Sequence, residues 1–258
     1  MQNCIEELGD GLFFVCGSEA TRQLRCQAEL LAKASVPVLI IGETGTGKGT
    51  VGRLIHKLSA CARVPICAID CTESSWRDLD RALGETNPPI EGQIAQAPPL
   101  MKECHTILLR NILGLAEDMQ TKILNHFAEA SGRGINSELQ QTQPRIIATS
   151  HPYIATSVAA GTFSAELYSY LSPFTISVPP LRNRKEEIPF LLSHFMNQVA
   201  CKYDLPPRMP SGAAQFACQS YSWPENVKEL QDFVKRYLIM GDTAITFTHV
   251  KCLPLEIC

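Results

Sequence analysis

No stretch of this 258-residue sequence is apolar for long enough to cross a bilayer; the longest run, residues 36–41, falls far short of the roughly 20 residues a spanning helix needs. A basic N-terminal region is missing too, since Glu6, Glu7 and Asp10 stand where a signal peptide carries Lys or Arg. A cytoplasmic protein with no membrane partner is therefore expected. Positive charge is not in excess either: 23 Lys plus Arg face 26 Asp plus Glu, a formal net charge of -3, which excludes bulk electrostatic capture of nucleic acid or anionic lipid. Paired cysteines are absent. The eleven Cys are scattered at 4, 16, 26, 61, 67, 71, 104, 201, 218, 252 and 258 without a CxxC, so no metal site is expected and the thiols read as reduced and mostly buried. Repeats and low-complexity tracts are likewise lacking, and 45% hydrophobic with 19% charged residues describes a packed globular chain.

What is present alternates. Leu24, Ala28, Leu31 and Ala32 recur at helical spacing before the apolar run 36–41; a glycine-rich turn follows, then Val51, Leu54, Ile55 and Leu58 at helical spacing and a second apolar run at 64–69. That is one βαβ unit. Further apolar runs at 106–109, 145–149 and 174–178, with helical patterns at 119–130 and 165–171, predict a parallel sheet covered on both faces and joined by right-handed crossovers. Residues 84–99, rich in Pro and Gly, are predicted to be a loop. After Val178, Pro179 and Pro180 only helical signals remain, at 185–203, 211–220 and 224–239, the last with Pro224 in its first turn. The expected organisation is an α/β core over 1–180, a small all-helical domain over 181–250 and a tail over 251–258.

Gly42, Glu43, Thr44, Gly45, Thr46, Gly47 and Lys48 lie between a predicted strand and a predicted helix, the setting of a P-loop. Glycines let the backbone curl so that successive N–H groups face phosphate oxygens, the helix N-terminus adds its dipole, and the lysine reaches the outer phosphates. Gly49 follows Lys48 where a Ser or Thr usually helps to hold magnesium; Thr50 comes one place later. Nucleotide binding is expected, with magnesium in question.

Residues 38–48, with Arg53, Leu54, Ile55 and His56 after them, resemble the start of the AAA+ domain of NtrC-type, sigma-54-activating bacterial enhancer-binding proteins. The likeness continues in order through the strand 145–149, the segment Gly161, Thr162, Phe163 with Leu167 and Tyr168, the stretch 179–188, and Trp223, Pro224, Glu225, Asn226, Val227, Lys228, Glu229, Leu230, which looks like a sensor II motif. The resemblance spans about residues 17–250 and implies a P-loop AAA+ core, with a five-stranded parallel sheet between helices, and a helical lid.

It also implies parts that this sequence replaces. The GAFTGA loop by which the family remodels RNA polymerase holoenzyme is absent, a short link standing between Glu85 and Gly92. Where the resemblance puts the Walker B Asp-Glu pair, one acid for magnesium and one to activate water, stand Arg110 and Asn111; an Arg cannot bind a cation and an Asn amide is no base. Glu117 and Asp118 read as partners of a helix N-terminus. The two arginine-finger positions fall on Ser164 and Tyr170, sensor II carries Lys228 in place of Arg, and the sensor I segment reads Ser150, His151. The expectation is a domain that binds ATP or ADP as a conformational ligand with little or no hydrolysis. Two readings of Arg110 stay open: it joins Lys48 in neutralising phosphates, or it turns away to a surface acid such as Glu117.

The resemblance further implies a sensory domain before this region and a helix-turn-helix domain after it. The expectation is an excised domain whose DNA contact belongs to a segment outside it, whose RNA polymerase partner carries a sigma factor other than sigma-54, and which is a monomer or dimer rather than a hexamer. Some relatives bind cyclic di-GMP, but residues 12–16 lack the Arg that mode would use. An ATPase working through displaced residues and a nucleotide-free interaction scaffold are the alternatives.

Overall fold

The computed structural model describes residues 5–9, 11–72, 106–132, 144–204 and 209–241. The link at 84–92, the loop at 84–99, the tail at 251–258 and Cys4, Cys104, Cys252 and Cys258 lie outside them. The described residues pack as two units: those within 26–42 and 48–177, and those within 5–25, 43–47 and 178–241.

The larger unit is built on five parallel strands, β3 (Val38–Ile41), β4 (Ile66–Asp70), β5 (Thr106–Arg110), β6 (Arg145–Ser150) and β7 (Thr175–Ser177), in the order β4-β5-β6-β3-β7. Their apolar residues serve two faces because successive side chains in a strand point opposite ways. Leu39, Ile107, Leu109, Ile146 and Ala148 share one core with Ile123 and Phe127 of α3 (Glu117–Gly132), Ile154 of α4 (Ile154–Ala159), and Leu167 and Leu171 of α5 (Ala165–Leu171). On the other face, α2 (Lys48–Lys57) comes so close that a Cβ on Gly52 would stand 2.6 Å from Leu108 Cδ1 and 3.4 Å from Ile147 Cγ2. Strands buried on both faces read as continuous apolar runs, which is why 38–41, 106–109 and 145–149 are so plain in the sequence. His56, near the end of α2, joins Thr106 Oγ1 at 2.9 Å and the carbonyl of Val64 at 2.9 Å, fixing that helix end to the start of β5 and to the turn that leads into β4. Arg145 donates to the carbonyls of Val36 at 3.0 Å and Leu31 at 2.8 Å, closing the last turn of α1 (Glu19–Lys33) against the entry to β3.

The smaller unit opens with an antiparallel hairpin, β1 (Ile5–Gly9) and β2 (Leu12–Val15). Its strands, of four and five residues with mixed burial, show no clear alternation in the sequence. The helices α6 (Ile188–Tyr203), α7 (Gly212–Ser220) and α8 (Asn226–Met240) follow. Their core holds Trp223, Phe233, Tyr237, Leu230, Leu192 and Phe195, with Trp223 Nε1 donating to the Cys218 carbonyl at 2.8 Å. Two helix starts differ from the sequence reading. Lys185–Glu187 form a 3-10 turn before α6, and Pro224 precedes α8 rather than opening it, since Trp223 and Asn226 adopt left-handed φ of 49° and 58°. Among the described residues no helix is long and apolar enough to cross a membrane.

Candidate functional site

The loop after β3 is shaped by its glycines. Gly45 and Gly47 sit at φ of +74° and +94°, in the left-handed region that side chains avoid, and the chain then enters α2 at Lys48. Thr46 is buried and its Oγ1 donates to the Glu43 carbonyl at 2.9 Å. Lys48 Nζ folds back to donate to the Gly42 carbonyl at 2.8 Å, and Gly42 N–H donates to Ser150 at 3.2 Å. Gly49 and Thr50 occupy the first turn of α2. A glycine-rich turn leading into a helix N-terminus with a lysine is an arrangement that suits an anion.

The tip of the loop, residues 43–47, is held by the C-terminal segments of its own unit. Asn226 is fully buried; its Nδ2 donates to the Thr44 carbonyl at 2.9 Å and to Glu43 at 3.3 Å, while its Oδ1 accepts from Leu181 N–H at 2.7 Å. Val227 N–H donates to the Gly45 carbonyl at 3.0 Å. Arg182 forks onto both oxygens of Glu43 at 2.7 and 2.5 Å, and buried Arg184 donates to the Thr46 carbonyl at 2.7 Å. Lys228 is the neighbour the sequence singled out: a Cβ on Gly45 would lie 3.1 Å from Lys228 Cβ, and 2.1 Å from the Glu225 carbonyl oxygen. Asn226 lies in the segment that resembles sensor II, and Arg182 and Arg184 in the stretch 179–188, but nothing local in the sequence says which backbone groups they reach.

The strand ends carry a second cluster. Arg110 and Asn111 stand where β5 ends, and the parallel register sets Asp70, the last residue of β4, opposite Arg110. Arg110 pairs with Asp70 at 3.4 Å, in place of the Glu117 named as the alternative, because β4 and β5 are hydrogen-bonded neighbours. Asn111, at φ 57°, donates its amide to both Asp70 oxygens at 3.2 and 3.3 Å and its backbone N–H to Thr149 Oγ1 at 3.1 Å. Thr72 Oγ1 adds a 2.7 Å hydrogen bond to Asp70. Asp70 lies one residue beyond the apolar run 64–69, as the polar last residue of β4. Glu117 and Asp118 do open a helix, lying in the first turn of α3. His151 rests against Tyr153, ring centroids 4.2 Å apart.

Ser164 and Tyr170 have local work. Ser164 caps α5 by accepting from Leu167 N–H at 3.2 Å, and its own N–H donates to Gln120 Oε1 at 2.7 Å. Tyr170 stacks on Phe127 at 6.2 Å, and burial pushes its phenol pKa up.

Comparison with known proteins places this geometry. Residues 14–177 match the model of the sigma-54 interaction domain, and residues 182–256 that of the AAA+ ATPase lid domain. The response regulator protein PilR of Pseudomonas aeruginosa is 31% identical over 233 residues, covering 88% of this chain and 52% of that protein. The transcriptional regulatory protein ZraR of Escherichia coli K12 is 30% identical over 227 residues, covering 86% and 52%. The chain thus spans about half the length of these relatives. The crystal structure of NtrX from Brucella abortus superposes with a TM-score of 0.75 at 28% identity, over 93% of this chain and 56% of that one; NtrX in complex with ATP does so at 0.71 and 28%, over 87% and 50%. The P-loop AAA+ fold, with its five-stranded parallel sheet and helical lid, is that of these relatives.

Proposed function

The chain belongs to the sigma-54 interaction domain family, and from that premise we propose that it binds ATP or ADP as the regulatory domain of a bacterial enhancer-binding transcription regulator, with little or no hydrolysis. Binding is supported by the glycine-rich turn and helix start at residues 42–50, by the lysine there, and by the ATP and ADP complexes of NtrX. The observation that carries the loss of hydrolysis is the end of β5. A permanent cation and an amide, Arg110 and Asn111, occupy the positions where the family resemblance calls for two carboxylates, and Asp70 beside them is engaged by Thr72, Asn111 and Arg110.

Ser164 and Tyr170, serving a helix cap and a core stack, present no guanidinium to a neighbouring subunit, which favours a monomer or dimer over a hexamer. A cytoplasmic setting, DNA contact through another domain and a sigma factor other than sigma-54 complete the proposal. Calorimetry with ATP, ADP and cyclic di-GMP, run beside a phosphate-release assay on the same preparation, tests it. Binding of ATP or ADP that Lys48→Ala abolishes, without phosphate release, is the expected result. Turnover that depends on Lys48 would overturn the non-hydrolysing part and favour an ATPase using displaced residues.

A further inference from the structure

The family resemblance implies a divalent cation on the nucleotide phosphates, held between the first turn of α2 and the end of β5. The side chains present do not fit one. Gly49 brings no hydroxyl, Arg110 brings a permanent positive charge and Asn111 an amide. Asp70, the carboxylate at those strand ends, already accepts from Thr72 and from Asn111 and pairs with Arg110. Among the described residues no three His, Cys, Asp or Glu side chains converge as a metal site.

A steric observation links two of these departures. A Cβ built on Gly49 would lie 3.6 Å from Arg110 Cδ, so the aliphatic stem of Arg110 runs past the first turn of α2. At that distance the Cβ would be in ordinary van der Waals contact with the stem, which sets Arg110 directly beside residue 49. The position where a hydroxyl would help to hold the metal is thus the one the arginine stem passes. We infer that Arg110 is a phosphate ligand of this domain, its guanidinium supplying the positive charge that a bound divalent cation would otherwise bring, so that a nucleoside di- or triphosphate binds without magnesium.

The chemistry suits the role. A guanidinium is charged at every accessible pH and offers a planar fork of donors that matches phosphate oxygens in pairs. Its link to Asp70 is also easily exchanged: the Arg110 side chain is 48% exposed and the ion pair is 3.4 Å long, the kind of surface pair that contributes little. Asp70 thus acts as a parking site, holding the head near the first turn of α2 until phosphate competes for it.

This inference rests on the nucleotide-binding reading, and the test separates the two. ATP is titrated calorimetrically into the full chain in excess magnesium and in excess EDTA, for the native protein and for Arg110→Ala, Arg110→Lys and Lys48→Ala, with circular dichroism confirming that each variant is folded. Native affinity should change by less than about threefold on chelation, a small step on a scale where tenfold marks one lost interaction. Arg110→Ala should weaken metal-free binding by about tenfold or more, the loss of a charge-assisted hydrogen bond, and Arg110→Lys should restore part of it. Native binding that vanishes in EDTA but remains Lys48-dependent in magnesium overturns the inference and leaves the nucleotide reading standing. Binding indifferent both to EDTA and to Arg110→Ala also overturns it. No binding in either buffer overturns both.

Discussion

Burial alone would raise the Asp70 carboxyl, but hydrogen bonds from Thr72 and Asn111 and the charge of Arg110 outweigh it and hold the group below its ordinary 3.8. A carboxylate with a depressed native pKa adds stability above its ordinary value and loses it as pH falls through the depressed one. Asp70→Asn should therefore be less stable than the native chain in urea at neutral pH, and the deficit should close as the buffer is taken well below 3.8; an equal deficit at both pH values would count against the pairing. Next to it, burial and the negative charge of Asp70 push the Cys71 thiol up to about 12, against a smaller opposing pull from Arg110. Cys71 should stay unmodified when the folded protein is alkylated at mildly alkaline pH, whereas exposed Cys26 and Cys201 react, as read by mass spectrometry of the digest.

Between elements, the tip of the P-loop depends on Asn226, whose one side chain serves Leu181 N–H and the Thr44 carbonyl. Asn226→Ala leaves buried backbone groups unpaired and also forces Ala into a left-handed conformation, so a loss of about 2–4 kcal/mol is expected. Asn226→Gly tolerates the backbone and should recover about 1 kcal/mol of that, a difference that thermal or urea unfolding can read. Such roles mark the limit of what the sequence discloses. The strands at 38–41, 106–110 and 145–150 are legible because both faces are buried, and the P-loop is legible because its chemistry lies within seven consecutive residues, 42–48. Asp70, Asn226, Arg182 and Arg184 act across long separations set by strand register and chain return, for which composition and periodicity carry no signal. The hairpin β1–β2 escaped for a different reason: its paired strands are too short to show a period.

Across the molecule, Glu187 gathers pieces far apart in the chain. Fully buried, it accepts from Ser18 N–H at 3.1 Å, from Ser18 Oγ at 2.8 Å and from Thr21 Oγ1, and pairs with buried Arg184 at 3.1 Å. Removing its charge strands a buried guanidinium, so Glu187→Ala should cost on the order of 3–5 kcal/mol, seen as a lowered urea midpoint. Ligand should act in the opposite direction. ATP at about 100 times its dissociation constant should stabilise the native chain by about 2.7 kcal/mol, raising its melting temperature by several degrees, while Lys48→Ala shows no shift. The strand order β4-β5-β6-β3-β7 has a consequence for synthesis as well. The strand feeding the P-loop lies between β6 and β7, so a chain growing from the ribosome exposes both hydrogen-bonding edges of β3 until residues 145–177 have emerged. A nascent chain stopped before β6 carries its most apolar strand unpaired, and is the species that chaperones must shield.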